Sequence, residues 1–242
     1  MATRNKTRAV EATAQLQQIR SCLQELKLPK IDELLDGELD RLDKGRSSVP
    51  ETLLRLFDAQ VQYQRERRVE RRIRNSKLPE RKTLIEFDFD FQPGLDRSLI
   101  IELMTMGFVS RRQGVILAGN SGTGKSHIAK ALALEGCKHG YWVRYTTAAK
   151  MLQVLFSSLA DDSLEQKLKQ YVNPEILVID ELGFDRLERE RERREDARNA
   201  ALFFKVIDGR YTKRSTLLTT NIDFEQLGHY LGDPIVTTAI VD

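Results

Sequence analysis

The 242-residue sequence has only two cysteines, one tryptophan and no continuous apolar stretch long enough to cross a bilayer. A membrane-spanning helix needs roughly 20 consecutive apolar residues, so we expect no contact with a membrane. Cys22 and Cys137 lie far apart and outside any Cys-x-x-Cys pair, which argues against a disulfide framework and a zinc site. The charged N-terminus is followed by no apolar signal segment. Together these absences predict a cytoplasmic protein.

A large excess of charge of one sign is also missing, because the formal net charge is only +3. The positive charge is concentrated locally: residues 65–82 hold nine Lys or Arg against three Glu, a balance of +6. Such a stripe suits the phosphate backbone of duplex DNA. It contains no aromatic residue, so the stacking of single-stranded bases is not expected. The predicted DNA contacts are Arg65, Arg67, Arg68, Arg71, Arg72 and Arg74. The alternative is a solvated helix in which Glu66 and Glu70 pair with these arginines.

The N-terminal third of the chain has the apolar spacing of three helices. Leu16, Ile19, Leu23 and Leu26 mark the first, Pro29 separates it from the second, and the second ends near Gly45. Ser48 and Glu51 form a capping box that opens the third, whose inward face is predicted to carry Leu53, Phe57 and Val61. Residues 87–94 read as an extended linker. We therefore predict a helical N-terminal DNA-binding domain at 1–85 and an ATPase core at 86–242.

Apolar runs and helical patterns alternate through the second domain. The predicted strands cover 114–119, 142–147, 175–181 and 215–221. The predicted helices cover 124–138, parts of 148–172, and 197–211. Alternation of this kind is typical of an α/β fold, a mainly parallel sheet flanked by helices on both faces. The mixed-charge segment 186–196 is predicted to be solvated.

A complete phosphate-binding signature follows the first of these strands. Gly119, four residues, then Gly124, Lys125 and Ser126 match G-x-x-x-x-G-K-[ST] between a strand and a helix. Backbone N–H groups of such a loop and the helix N-terminus face the phosphates of ATP. A chance glycine-rich turn is the alternative, and the strand and helix context disfavours it. The predicted ATP-binding residues are Gly119, Asn120, Ser121, Gly122, Thr123, Gly124, Lys125, Ser126 and His127.

Two carboxylates end the strand at 175–181, and they complete the predicted ATPase site. Asp180 is expected to hold Mg²⁺ together with the hydroxyl of Ser126, while Glu181 polarises the attacking water and Lys125 reaches the β and γ phosphates. Asn221, at the end of the strand 215–221, is the candidate for positioning that water. The non-functional alternatives are that residues 180–181 are simply a strand end that meets solvent, and that Asn221 is a polar cap of a turn. No transition-state arginine is identifiable, since Arg210 and Arg214 are equally consistent with surface residues.

These motifs resemble the IstB-like helper ATPases of bacterial insertion sequences, relatives of the DnaC-type helicase loaders within the AAA+ class. The resemblance spans nearly the whole chain and includes 26–29, 65–72, 87–93, 119–126, 177–183 and 218–221. It implies an AAA+ core behind a helical domain, both touching duplex DNA, with ATP driving self-association into higher-order oligomers. It also implies a partner, the DDE transposase of the same element. The arginine-finger helix and the C-terminal lid of the family are expected beyond residue 242, which would leave hydrolysis by the present chain in doubt.

Three other functions compete with that of a transposition regulator. A DnaC-like helicase loader would use the same site and bind a replicative helicase through its N-terminal domain. An architectural DNA-binding protein would use ATP only to set its oligomeric state. A small-molecule kinase would transfer phosphate to a metabolite without needing DNA, and would leave the basic helix without a role.

Overall fold

The structure, a computed structural model, describes residues 2–92, 94–183 and 193–222. It divides into two compact units, 1–68 and 69–242. The division falls inside a helix rather than in a loop, so residues 69–92 belong to the second unit. The boundary between residues 85 and 86, which was placed to separate a DNA-binding domain from an ATPase core, stays a prediction.

The first unit is built from α1 (Ala2–Glu25), α2 (Pro29–Asp43) and the beginning of α3 (Val49–Ser76). Pro29 opens α2 at a position where a missing N–H is tolerated. The predicted capping box is confirmed, because the Ser48 N–H donates to Glu51 Oε2 at 2.7 Å and the Glu51 N–H to Ser48 Oγ at 3.5 Å. The small core of this unit consists of Leu23, Ile31, Leu35 and Leu56.

The predicted inward face of α3 was wrong by one residue. Leu53, Phe57 and Val61 are exposed, while the buried positions are Thr52, Leu56 and Gln60. The reason lies in the N-terminus of α2, where Gln60 Oε1 accepts hydrogen bonds from the N–H groups of residues 30 and 31 at 2.9 and 3.3 Å. Satisfying these helix-end donors turns the polar side chain inward, together with its neighbours one turn away.

In the second unit, four parallel strands form a sheet in the order β1-β4-β3-β2. The strands are β1 (Val115–Ala118), β2 (Val143–Thr147), β3 (Ile176–Leu182) and β4 (Ser215–Thr220). The helices are α4 (Arg97–Met104), α5 (Gly107–Ser110), α6 (Lys125–Lys138), α7 (Ala148–Ser157), α8 (Leu164–Val172) and α9 (Arg193–Arg210). The predicted α/β class and the positions of all four strands are confirmed.

Helices cover both faces of this sheet, which explains why its strands are continuous apolar runs. In β3, Ile176 and Val178 face the core that includes α6, whereas Leu177 and Ile179 face the core that includes α7 and α9. Of the predicted extended linker at 87–94, the described residues 87–92 include two aromatic rings that are packed rather than extended into solvent. A 3-10 turn at Leu84–Glu86 precedes them, and Phe87 and Phe89 pack against the α6 core, because their rings gain more by burial than by extension into water.

Candidate nucleotide site

The phosphate-binding loop lies between β1 and α6, with its glycines in the conformation that the motif requires. Gly122 and Gly124 both have φ of 83°, and Gly119 has φ of 145°, a region that side chains other than glycine rarely enter. Gly124 is the residue directly before α6, so its backbone turns the chain into the helix. The Gly119 N–H donates to the carbonyl of Thr220 at 3.2 Å, which ties the loop to the end of β4.

Lys125 folds back over the loop. Its Nζ donates to the carbonyl of Asn120 at 2.6 Å and lies 3.3 Å from Thr123 Oγ1. Partial burial lowers the pKa of this amine, while the charge of Asp180 acts in the opposite direction. The loop carbonyl and hydroxyl hold the ammonium against the loop, within reach of the position that the β and γ phosphates of ATP would take.

Asp180 is the centre of the hydrogen-bond network at the carboxyl edge of the sheet, and it is only 2% exposed. Ser126 Oγ donates to Asp180 Oδ1 at 2.8 Å, so the structure brings the two predicted magnesium ligands together. Thr219 Oγ1 donates to the same oxygen, and the Tyr145 hydroxyl donates to Oδ2. Three hydroxyl groups from β2, β4 and α6 therefore hold one carboxylate.

Tyr145 and Thr219 are site residues that sequence reasoning missed. Burial raises the pKa of Tyr145, and the hydrogen bond to Asp180 raises it further, so the phenol stays protonated and donates. Both side chains lie on strands next to β3 in the sheet. The sequence did contain a clue to both residues, because each is a polar residue near the carboxyl end of an apolar strand. Parallel pairing brings these strand ends to one edge of the sheet.

The donor set at this edge fits Mg²⁺ bound beside a triphosphate. One serine hydroxyl and one carboxylate lie within hydrogen-bond distance of each other, and Mg²⁺ usually takes one or two protein carboxylates together with phosphate oxygens and waters. Within the ranges that the structure describes, no group of three or more His, Cys, Asp or Glu side chains could hold a metal alone. With ATP bound, phosphate oxygens and waters would complete the coordination of a magnesium ion held by Ser126 and Asp180.

Glu181 has a backbone conformation unusual for its residue type. Its φ is 63°, the pairing of β3 with β4 shifts register between Ile179 and Leu182, and its side chain is exposed. Its N–H donates to Thr219 Oγ1 at 2.9 Å. The threonine hydroxyl thus links the backbone of Glu181 to Asp180, and the bulge turns the second carboxylate out of the strand toward solvent.

Asn221 follows β4 at the same edge. Its Oδ1 is buried and has no hydrogen-bond partner among the described residues. A β-carbon at Gly183, which has φ of 94°, would lie 3.5 Å from this oxygen and would overlap Ile222. The amide therefore lies in a tight space beside the end of β3, and its oxygen is left without a hydrogen-bond partner among the described residues.

The segment after α3 packs against the phosphate-binding loop. The Phe87 ring lies so close to Gly124 that an added β-carbon there would be 2.5 Å from Phe87 Cε2. Phe87 also meets the ring of His127 edge-on at 5.4 Å between centroids, and His127 Nε2 lies 2.8 Å from the carbonyl of Thr83. A cavity beside these groups includes Glu86, Phe91 and Gln92 in its walls, next to the glycines that face the phosphates.

The two arginines considered for the transition state lie elsewhere. Arg210 is 1% exposed, at the opposite, amino edge of the sheet, where it binds backbone carbonyls. It is neither a surface residue nor near the phosphate-binding loop. Arg214 lies just before β4 at the same amino edge. Of the predicted charged segment 186–196, residues 186–192 lie outside the described residues.

The chain matches the family model for the IstB-like ATP binding protein over residues 21–242. It is 31% identical to an ATP-binding protein of insertion sequence IS232 from Bacillus thuringiensis subsp. berliner, covering 93% of this chain and 87% of the relative. It is 32% identical to the corresponding protein of IS21 from Pseudomonas aeruginosa, covering 94% and 83%.

Solved structures share the fold. The DnaC helicase loader has a TM-score of 0.50 at 23% identity, covering 60% of this chain and 82% of that one. A replication initiator, DnaA bound to AMPPCP and single-stranded DNA, has a TM-score of 0.54 at 20% identity, covering 68% and 49%. These similarities show that the second unit shares the fold of those proteins. Across the part of the chain that the structure describes, no helix is long and apolar enough to span a membrane.

Proposed function

Because this chain belongs to the IstB-like ATP binding protein family, we propose that it is an ATP-dependent, DNA-binding AAA+ regulator of DNA transposition. It self-assembles on duplex DNA and recruits and stimulates the DDE transposase of the same element. The names of the relatives, which assign them to insertion sequences, support the transposition part of this proposal. One observation, the free basic face of α3, carries the DNA part.

The arginines of α3 are available for phosphates. Arg65, Arg67, Arg68, Arg71 and Arg74 are exposed and Arg72 is half-buried. None of the six forms an ion pair or a side-chain hydrogen bond with any described residue, although Arg67 lies 6.0 Å from the ring centre of Tyr63. Glu70 pairs instead with Arg81, at 2.6 Å. The alternative of a helix neutralised by its own Glu–Arg pairs is thereby disfavoured.

ATP hydrolysis is assigned to the carboxyl edge of the sheet. Lys125 and the loop N–H groups bind and orient the phosphates, and Ser126 with Asp180 would hold Mg²⁺, which supplies positive charge to the triphosphate. Glu181 accepts a proton from the attacking water, and the side-chain amide of Asn221 orients that water. The Tyr145 and Thr219 hydroxyls fix the rotamer of Asp180, so the magnesium ligands are organised before the nucleotide arrives.

The test is duplex-DNA binding at several salt concentrations, with ATP, with ADP and without nucleotide, following both affinity and particle size. We expect salt-sensitive binding that grows into large assemblies only with ATP. The triple variant Arg67→Ala, Arg71→Ala, Arg74→Ala should weaken binding to all sequences and reduce the salt slope by about 2–3, because each lost phosphate contact removes roughly 0.9.

Arg46→Ala is the matched control, since Arg46 is exposed, lies outside the stripe and has no side-chain partner among the described residues. Equal, weak binding with all three nucleotide states would overturn the DNA-assembly proposal and favour a helicase loader. DNA-bound assemblies that form with ATP but never stimulate strand transfer by the transposase would favour the architectural alternative.

A further inference from the structure

A second concave site lies at the amino edge of the sheet, opposite the nucleotide site. It is a cavity of about 230 Å³ between the loop before β1, the end of α9 and the loop before β4. The six residues of β4 separate the two edges by roughly 16–20 Å at about 3.3 Å per residue. The cavity therefore belongs to neither the phosphate-binding loop nor the predicted magnesium ligands.

The walls of this cavity are cationic. Arg111, Arg112, Arg210 and Arg214 all line it, and no carboxylate is among its described lining residues. Arg111 bonds to Gln113 at 2.7 Å and lies 3.6 Å from Glu102. Arg112 and Arg214, in contrast, have no ion pair or side-chain hydrogen bond with any described residue, so two guanidinium groups are free to bind an anion.

Arg210 makes the back wall rigid and positive. It is 1% exposed, and its Nε and Nη atoms donate to backbone carbonyls and to Thr216 Oγ1. Burial lowers the pKa of Arg210 to about 9, and the charge of Arg214 acts in the same direction. The guanidinium stays charged at neutral pH, and its described acceptors are all uncharged. Its positive electrostatic potential therefore adds to that of Arg112 and Arg214.

The floor of the cavity is apolar and includes Ile116, Ile207 and Leu218. An apolar floor is a poor match for a DNA backbone, which is convex and presents a charged phosphate at every nucleotide. The volume is below the roughly 300–1,000 Å³ of small-molecule pockets, and fits one large side chain. A single apolar anchor surrounded by charges that fix its register is a recurring way for proteins to hold a peptide.

We propose that this cavity is a docking site for an acidic protein segment, in which one large apolar or aromatic side chain enters the cavity and flanking carboxylates pair with Arg112 and Arg214. The anchor supplies most of the affinity, since exposed ion pairs alone contribute little. The carboxylates supply orientation and exclude basic segments. This partner site is independent of the proposed ATP and duplex-DNA sites.

The probe is a fluorescent peptide, Asp-Glu-Phe-Asp-Glu, titrated with the full chain and followed by anisotropy. Arg112→Glu and Arg214→Glu should each weaken binding about tenfold or more, by replacing an attraction with a repulsion. Replacing the Phe of the peptide by Ser should weaken binding to a similar extent. Lys205→Glu is the matched control, because Lys205 is exposed on α9 and does not line the cavity.

Thermal unfolding and ATP binding of each variant report whether it remains folded. The proposal is overturned if the acidic peptide does not bind, if the two Arg variants bind it as the control does, or if the Ser peptide binds equally well. It is also overturned if the Arg variants lose self-association without peptide, which would assign the surface to a second copy. A loss of duplex binding in the same variants would assign it to DNA.

Discussion

The two edges of the sheet each bury one charged side chain, and they hold it in opposite ways. At the carboxyl edge, Asp180 accepts hydrogen bonds from three side-chain hydroxyls. At the amino edge, Arg210 donates mainly to backbone carbonyls, those of Tyr171, Val172, Pro174, Glu175 and Ser215. Neither charge has an oppositely charged partner in hydrogen-bond contact among the described residues.

This difference separates a charge that takes part in chemistry from one that supports the fold. Hydroxyl groups can rotate, and the Ser126 hydroxyl can exchange the Asp180 carboxylate for a magnesium ion without moving the backbone. The carbonyls around Arg210 belong to the end of α8, the loop before β3 and the start of β4, so they cannot turn away without displacing those elements. We therefore expect Arg210 to control stability and the Asp180 edge to control activity.

Arg210→Met should have the largest effect on the free energy of unfolding. The substitution removes the donors while leaving several buried carbonyls unpaired, and breaking such a network costs about 3–5 kcal/mol. Urea unfolding followed by circular dichroism measures this loss. Arg214→Met is the control, because Arg214 is half-buried and has no ion pair or side-chain hydrogen bond with a described residue. It should change stability by about 0.5 kcal/mol or less. Similar losses of stability in both variants would contradict the assignment of a structural role to Arg210.

Glu181→Gln should leave the fold and ATP binding intact while slowing hydrolysis by about 10²–10³-fold, the usual contribution of a positioned general base. Its side chain is exposed and its backbone N–H, not its carboxylate, joins the Asp180 network. Steady-state phosphate release and equilibrium binding of a fluorescent ATP analogue separate the two quantities. Glu165→Gln is the control, because Glu165 is exposed on α8. Equal loss of binding and hydrolysis at Glu181 would make it a structural residue.

Lys125→Ala should lower affinity for ATP, and with it hydrolysis, by about 10²-fold, because a charge-assisted contact to the phosphates is lost. The expected change in stability is small, since among the described residues the Lys125 amine bonds only within its own loop, at 2.6 Å to Asn120 and 3.3 Å to Thr123. Lys130→Ala is the control on the same helix, where Lys130 lies 3.5 Å from Glu80. Equal losses of ATP affinity in both variants would contradict a specific phosphate contact.

The carboxyl edge was more predictable from the sequence than the amino edge. The loop 119–126 and Asp180 follow from short motifs, because phosphate binding requires glycines and a lysine at fixed spacing. The partners of Asp180 did not follow, since Tyr145 and Thr219 are 35 and 39 residues away in sequence and meet it only through strand order. Arg210 offers no motif at all, because a buried arginine that binds carbonyls has the same local sequence as an exposed one.

The face of α3 shows a second limit. Leu53, Phe57 and Val61 have helical spacing and hydrophobic character, yet they are 48%, 54% and 43% exposed. Periodicity identifies an apolar stripe but not what covers it, and here the N-terminal N–H groups of α2 bring Gln60 inward instead. A polar requirement at a helix end outweighed a hydrophobic pattern, and only the tertiary arrangement reveals that requirement.

The smallest expected effect concerns the segment that packs on the phosphate-binding loop. Phe87→Ala removes the ring that covers Gly124 and meets His127, so the loop should lose part of its support and ATP affinity should fall about fivefold, equivalent to about 1 kcal/mol. Ile85→Ala is the control in the same segment, since Ile85 is 97% exposed. Calorimetric titration with ATP measures both. If Ile85→Ala weakens binding as much, or Phe87→Ala leaves it unchanged, the packing of Phe87 does not support the phosphate-binding loop, and the nucleotide site ends at the glycines.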